Sequence, residues 1–195
     1  MINTWTLPNL LSGFRLLTAP VLVLLASGGD RELFLWLLAI AFFTDAIDGV
    51  LARSMGQTGQ LGAQLDSWAD VAVYAATAIA VFLLWPELVS REWIAITAVI
   101  LSFVFPALIG LVRFGRFTSY HTRLVKLAVV ATVIGLFAML LDVSAWPFRV
   151  AAVLAVLAAA EEVAITLVLK TECSDVDSLW QVLREQRHRD GAPSE

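Results

Sequence analysis

The chain has 195 residues, of which 59% are hydrophobic and only 15% are charged, and its mean hydropathy is +0.82. Soluble domains are typically about 45–50% apolar and about 25% charged. This composition excludes a water-soluble globule, a disordered tail and a nucleic-acid-binding protein with a basic surface. The single cysteine excludes an internal disulfide framework. We therefore expect an all-α integral membrane protein.

Six apolar stretches follow one another along the chain, each close to the roughly 20 residues that a spanning helix needs. They are Leu7–Ser27, Leu33–Ala52, Gly62–Trp85, Trp93–Val112, Leu124–Leu141 and Trp146–Leu169. The polar breaks between them cover residues 28–31, 54–60, 86–92, 113–123 and 142–147. We expect residues 1–170 to form six transmembrane helices around a polar cavity that faces the cytoplasm. Residues 171–195 are expected to form a charged cytoplasmic tail with one short surface helix over residues 176–186.

Lysine and arginine residues divide unevenly between the two ends of these stretches, ten against three. The larger group is Arg15, Arg53, Arg113, Arg116, Arg123, Lys126, Lys170, Arg184, Arg187 and Arg189, and the smaller is Arg31, Arg91 and Arg149. Because basic residues accumulate on the cytoplasmic side, both termini are predicted to be cytoplasmic, with the protein crossing the cell membrane several times. Trp36, Trp85, Trp93 and Trp146 lie at the opposite ends, as an interfacial aromatic belt requires.

Four aspartates interrupt the second and third apolar stretches near the cytoplasmic side. Asp45 and Asp48 are three residues apart, and Asp66 and Asp70 are four apart, so each pair lies on one helix face. The short turn between the stretches makes the helices antiparallel, which allows the two faces to meet. Buried carboxylates are costly and repel one another. Since too few arginines are evident to neutralise them, we expect bound cations; the alternative is interfacial carboxylates that reach water or pair with arginine.

Oxygen ligands without histidine or cysteine favour Mg²⁺, Mn²⁺ or Ca²⁺ over zinc. Two cations that share these carboxylates would suit a phosphoryl-transfer centre, where they would neutralise a pyrophosphate. Gly49, Ala52 and Gly62 lie on the same faces and would allow a bulky ligand to approach the backbone. Arg53 supplies a guanidinium group for phosphate oxygens.

The same residues resemble the signature of the CDP-alcohol phosphatidyltransferase family. They match D-x2-D-G-x2-A-R-x8-G-x3-D-x3-D at all eight specified positions: Asp45, Asp48, Gly49, Ala52, Arg53, Gly62, Asp66 and Asp70. The resemblance implies transfer of a phosphatidyl group from a CDP-linked lipid, such as CDP-diacylglycerol, to an alcohol, with release of CMP. It implies two divalent cations, Mg²⁺ or Mn²⁺, at the four aspartates, and CDP contacts from the positions of Gly49, Ala52, Arg53 and Gly62. It also implies that Asp70 is the general base.

The acceptor alcohol is indicated by two further features. Residues 7–15 resemble the first-helix stretch P-N-x-L-[ST]-x-x-R of the phosphatidylglycerophosphate and cardiolipin synthase branch. A basic cluster, defined as Arg113, Arg116, Arg123 and Lys126, borders the fourth and fifth stretches. This cluster could bind a water-soluble, phosphorylated acceptor, for which glycerol 3-phosphate is the first choice and an inositol phosphate or another alcohol the alternative. It could equally be a loop that faces anionic lipid.

Two functions outside this family use similar aspartates. A membrane prenyltransferase also pairs aspartates with Mg²⁺, but does not require the Gly-x-x-Ala-Arg elements. An ion transporter would be expected to show discontinuous helices or inverted repeats, and neither is visible. Glu161 and Glu162 in the sixth stretch are expected to be structural. A homodimer is plausible by resemblance.

Overall fold

A computed structural model describes residues 7–55, 60–114 and 122–168, and within these ranges every regular element is an α-helix. The helices are α1 (Leu7–Gly28), α2 (Arg31–Met55), α3 (Gln60–Leu84), α4 (Pro86–Phe114), α5 (Arg123–Leu140) and α6 (Trp146–Val168). The surface helix predicted for residues 176–186 lies outside the described residues. The chain divides into two compact units, Met1–Ser90 and Arg91–Glu195.

Five of these helices are long and apolar enough to cross a membrane. The candidate spans are Asn9–Gly28, Gln64–Leu84, Pro86–Arg113, Arg123–Leu140 and Trp146–Leu167. This confirms the expected all-α, multi-pass membrane fold. The crossing of α2, which carries Asp45, stays a prediction.

One predicted break was wrong, because residues 86–92 are helical and belong to α4. Trp85 is the only residue between α3 and α4. The sequence Pro86-Glu87 suits a helix start: proline at the first position has no N–H to leave unpaired, and an acidic residue in the first turn favours the helix dipole. The helical geometry is interrupted once, at Glu92, where φ is −110° and ψ is 19°.

A tight turn at Gly29 joins α1 to α2. The N–H of Gly29 donates to the carbonyl oxygen of Ala26 at 3.1 Å, and the N–H of Asp30 donates to that of Leu25 at 3.1 Å. This is the Schellman pattern, which places its central residue in the left-handed region. Gly29 has φ +81°, a conformation that costs glycine nothing. The turn returns the chain beside α1.

α1 packs against both α2 and α3 along one continuous buried face. The buried residues of this face recur at helical spacing: Ser12, Arg15, Thr18, Ala19, Leu22 and Ala26. The part of this face toward the end of α1 is apolar, and Phe34, Leu38 and Ala80 are fully buried on the neighbouring helices α2 and α3. The part of this face nearer the start of α1 carries Ser12 and Arg15. Polar side chains therefore enter the core of the first unit at a defined level of α1.

In the second unit, α5 and α6 approach each other at Gly135. A Cβ atom at this position would lie 2.7 Å from both the Cα and the N atom of Phe148. Small buried residues continue the contact at Ala128, Ala155 and Ala158. Close backbone approach over small residues is how membrane helices gain packing energy without a hydrophobic driving force.

We predict that Gly135→Ala destabilises the protein by about 1–3 kcal/mol, the usual cost of overpacking. The obstacle is the backbone of α6, which cannot move aside as a side chain can. Gly13→Ala is the matched control, because a Cβ there meets no atom within 4 Å; it should be neutral or stabilising by about 0.5–1 kcal/mol. Thermal unfolding in detergent measures both. Equal melting temperatures for the two variants would contradict the close approach.

Candidate metal centre

The aspartates of α2 and α3 meet, as their spacing predicts. Asp45 on α2 and Asp66 and Asp70 on α3 each offer a carboxylate oxygen, and these atoms lie within 4.8 Å of one another. We call these three side chains the carboxylate cluster. Asp48 belongs to α2, but its side chain lies outside the described part of the chain. The antiparallel arrangement of α2 and α3 therefore brings together three of the four predicted metal ligands.

One arginine pairs with these aspartates, which is part of the alternative that the sequence left open. Arg15 of α1 reaches all three: its Nη1 donates to Asp45 and Asp70, and its Nη2 donates to Asp66. The Arg15 side chain is only 2% exposed, whereas the three carboxylates are 31–46% exposed. A guanidinium group presents several donors in a fixed plane, which suits several carboxylates at once. Arg15 is thus an internal counter-charge to the cluster.

Sequence reasoning missed Arg15 because it counted that residue as an interfacial charge. Without Arg15, the basic residues still divide nine against three between the two ends of the apolar stretches, so the predicted orientation does not change. The available signal was the position of Arg15, one turn beyond Ser12 on a helix with no other charged residue. A charged residue inside a membrane helix usually faces the protein interior and has a partner there.

The donor chemistry of the carboxylate cluster fits a hard divalent cation. When ionised, the three aspartates carry three negative charges against one guanidinium group, which leaves an excess of two. Ser12 adds a hydroxyl group at the edge, where its Oγ donates to Asp66 at 3.4 Å. All the ligand atoms are oxygens, which Mg²⁺ and Mn²⁺ prefer. The residual charge, the partial exposure and the ligand type together agree with a cation site.

Of the four residues predicted to contact CDP, the structure describes the surroundings of one, Gly62. Gly49, Ala52 and Arg53 lie on α2, but their side-chain environments are outside the described part of the chain. Gly62 lies in the first turn of α3, where an added Cβ would be 2.7 Å from Oδ1 of Asn9. The absence of a side chain at Gly62 therefore allows α3 to approach α1 just before the carboxylate cluster.

The basic cluster lies in the second unit. Arg113, Arg123 and Lys126 are exposed, and Arg116 falls outside the described residues. Arg113 donates from Nη2 to the carbonyl oxygen of Leu167 at 3.1 Å, near the end of α6. Because α5 begins at Arg123, Lys126 lies in its first turn.

The start of α5 is fixed by Thr122, which is completely buried. Its Oγ1 accepts a hydrogen bond from the N–H of Val125 at 3.2 Å, the usual interaction of a helix N-cap. The same hydroxyl group donates to Oε2 of Glu161 at 3.0 Å. Glu161 on α6 therefore orients the cap of α5, which gives this carboxylate a structural contact within the second unit.

Comparison with known proteins agrees with this arrangement. The sequence model of the CDP-alcohol phosphatidyltransferase family matches residues 5–168. The cardiolipin synthase (CMP-forming) of Rattus norvegicus is 45% identical over 69 residues, which cover 35% of this chain and 23% of that protein. The cardiolipin synthase (CMP-forming) of Homo sapiens is 44% identical over 69 residues, with the same coverage. The matched segment thus spans about a quarter of these relatives, and no solved structure matches significantly.

We predict that Arg15→Gln lowers the stability of the metal-free protein by about 1–3 kcal/mol, because three partly exposed carboxylates lose their buried charged donor. Millimolar Mn²⁺ should restore more stability to this variant than it adds to the wild type, since a ligand that binds only the folded state stabilises it. Melting temperature with and without Mn²⁺ measures both effects. Arg31→Gln, which removes an arginine stacked on Trp85 in the same unit, is the control and should show no extra response to Mn²⁺.

Unchanged stability of metal-free Arg15→Gln would show that the guanidinium group does not neutralise the carboxylate cluster. An equal Mn²⁺ response in Arg15→Gln and Arg31→Gln would show that the cation binds elsewhere.

Proposed function

The chain belongs to the CDP-alcohol phosphatidyltransferase family, and from this membership we propose that it transfers a phosphatidyl group from a CDP-linked lipid to an alcohol. The observation that carries the proposal is the carboxylate cluster, with oxygens from two helices within 4.8 Å. In this reaction the acceptor hydroxyl oxygen forms a bond to the phosphorus of the phosphatidyl group. The bond from that phosphorus to the bridging oxygen of the pyrophosphate breaks, and CMP leaves with the electron pair.

Asp45, Asp48, Asp66 and Asp70 are proposed to hold two divalent cations, Mg²⁺ or Mn²⁺. When bound, such cations neutralise the negative charge of a pyrophosphate and of the departing CMP. The number of acidic groups supports this assignment, because the three described aspartates exceed the single charge of Arg15.

Asp70 is proposed to be the general base. An alcohol has a pKa far above neutrality, so its oxygen attacks phosphorus efficiently only if a nearby group accepts the proton. Asp70 lies one turn beyond Asp66 on α3 and is 32% exposed, so one side of its carboxylate remains open. Arg15 contacts Asp70 on the protein side and holds it in a fixed orientation. We assign Arg15 a positioning role in the reaction.

The CDP group of the donor is proposed to contact Gly49, Ala52, Arg53 and Gly62. Three of these residues have small or no side chains, and they precede or follow the aspartates on the same two helices. Close approach of the nucleotide to the backbone is possible only where side chains are small. Arg53 would provide charge-assisted hydrogen bonds to phosphate oxygens.

The proposal is tested by measuring CMP release from CDP-diacylglycerol by the purified protein in detergent with Mg²⁺ or Mn²⁺. We predict that Asp45→Asn and Asp66→Asn lose donor binding and turnover together. Asp70→Asn should keep donor binding while turnover falls by about 10²–10⁴, the usual contribution of a positioned base. The control is Asp142→Asn, an exposed aspartate with φ 57°, a conformation that asparagine also tolerates. It should retain full activity.

Wild-type protein that releases no CMP with any acceptor would contradict the proposed reaction. Asp70→Asn that loses donor binding as well as turnover would identify Asp70 as a ligand rather than the base.

The acceptor is proposed to be glycerol 3-phosphate, bound by the basic cluster. Arg123 and Lys126 lie in the first turn of α5, which contains no acidic residue. Cations at a helix N-terminus are unfavourable toward the helix dipole, whereas an anion there is stabilised by both the dipole and the basic side chains. The first turn of α5 is therefore suited to a phosphate group. An inositol phosphate would offer the same chemistry.

A second acceptor deserves testing because both relatives are named cardiolipin synthase. That name states that they form cardiolipin and release CMP. Because cardiolipin consists of two phosphatidyl groups joined by glycerol, transfer of one phosphatidyl group with loss of CMP requires phosphatidylglycerol as the acceptor. This alternative agrees with the resemblance of residues 7–15 to the first-helix stretch of that branch.

We predict that Arg123→Ala and Lys126→Ala each weaken use of glycerol 3-phosphate by about 1.5–3 kcal/mol, the value of a charge-assisted hydrogen bond. The donor KM should change little. Acceptor titrations with glycerol 3-phosphate, inositol phosphate and phosphatidylglycerol measure the effect, and Arg31→Ala in the other unit is the control. Preference for phosphatidylglycerol, or unchanged acceptor use in both variants, would contradict a phosphate site at α5.

The remaining assignments concern the whole protein. We propose that residues 1–170 form the catalytic membrane domain and that residues 171–195 form a tail. The protein would lie in the cell membrane with both termini in the cytoplasm. The uneven distribution of basic residues supports this orientation. The soluble acceptor would then enter from the cytoplasm. A homodimer would be compatible with these roles.

A further inference from the structure

An apolar groove lies between α4 and α6 in the second unit, on helices that are both candidate membrane spans. Its volume is about 520 Å³, within the range of ligand-binding cavities. The apolar lining consists of Ile94, Ala95, Ala98, Ala152, Val153, Val156 and Leu157. From Arg149 to Leu157 the groove follows α6 for about 12 Å, at 1.5 Å per residue. Its walls offer only hydrocarbon contact over this length.

One end of the groove is charged. Arg91 and Arg149 line it, together with Glu92. Arg149 donates from Nε and Nη2 to the two carboxylate oxygens of Glu92, each at 2.8 Å, and Nε of Arg91 lies 3.3 Å from Oε1. Glu92 is 3% exposed, while Arg91 is 60% and Arg149 46% exposed. A buried carboxylate thus holds two accessible guanidinium groups side by side, and the three groups carry one net positive charge.

The charged end lies at the level of a membrane interface. Trp93 and Trp146 flank it in the sequence and are both strongly exposed, and Arg149 stacks over the ring of Trp146 at 5.6 Å. Exposed tryptophans at the ends of spanning helices mark the headgroup region. The two guanidinium groups are therefore at headgroup depth, and the apolar walls run from there into the hydrocarbon region.

We propose that this groove binds an anionic phospholipid, with its phosphate at Arg91 and Arg149 and one acyl chain along α4 and α6. Charge complementarity selects the headgroup, since arginine forms paired hydrogen bonds with phosphate. Glu92 keeps both arginines oriented before the lipid binds. The groove is formed entirely by residues 91–157, whereas the carboxylate cluster belongs to the first unit, so this site does not rest on the proposed reaction.

The test is native mass spectrometry of the purified full chain in detergent, titrated with phosphatidic acid or with phosphatidylcholine. Wild type should retain phosphatidic acid in preference to phosphatidylcholine. Arg91→Gln should bind phosphatidic acid about fivefold more weakly, the effect of one basic residue near a lipid surface, and Arg91→Lys should recover only the part of this loss that comes from charge, because lysine forms no paired hydrogen bonds. Ala98→Phe should lose both lipids because it fills the groove. Its matched control is Thr97→Phe, an adjacent exposed residue outside the lining, which should bind as wild type.

Retention of phosphatidic acid by Ala98→Phe equal to that by Thr97→Phe would overturn the proposal. So would a loss of dimer with unchanged lipid binding in Ala98→Phe, because the groove would then be covered by a second copy of the chain. If Arg91→Gln shows the same preference for phosphatidic acid over phosphatidylcholine as wild type, Arg91 does not bind the headgroup phosphate, and the proposal fails. CMP release measured in parallel reports separately on the proposed reaction.

Discussion

The carboxylate cluster and Arg15 impose the main constraint on the first unit. Three clustered carboxylates repel one another and lose hydration, so a counter-charge favours the packing of the helices that carry them. Arg15 supplies it from a third helix and contacts all three aspartates. This interaction requires α1 to lie against both α2 and α3, which is the packing observed. The hydrogen bonds of Arg15 therefore help to set the relative positions of α1, α2 and α3 along their axes, which apolar contacts specify less sharply.

The second unit is held together by different means. α5 and α6 meet through small residues, and Gly135 brings the backbone of one helix against the other at Phe148. Two polar contacts among the described residues join the start of one helix to the body of another: Thr122 at the start of α5 contacts Glu161 of α6, and Arg149 in the first turn of α6 contacts Glu92 of α4. Such contacts fix where these helices begin, while van der Waals packing determines the interface along them. The two units thus illustrate the two main ways of specifying helix packing without a hydrophobic driving force.

Local spacing explains which features the sequence predicts. Six apolar stretches and the three- and four-residue spacing of the aspartates determine helix number and the meeting of Asp45, Asp66 and Asp70. The partner of these aspartates is 30 or more residues away in sequence, so no periodicity reveals it. The helical conformation of residues 86–92 was missed because their polarity resembles that of a loop. Polar residues indicate that a segment is exposed, and the first turns of a helix can be as exposed as a loop.

The presence of Arg15 also bears on how a cation would enter the carboxylate cluster. Without a counter-charge, an open cavity with three ionised aspartates would be costly whenever cations were absent. Arg15 reduces that cost, and it does so by using the same oxygens that would ligate a cation. The proposed cation would have to rearrange or share these hydrogen bonds, so its affinity would be lower than for the same oxygens without Arg15. A guanidinium group that shares these carboxylates with a cation would also donate to a neighbouring pyrophosphate, because phosphate oxygens accept the same paired donors. Under the proposed function, the buried arginine would therefore favour cation and donor binding together over cation binding alone.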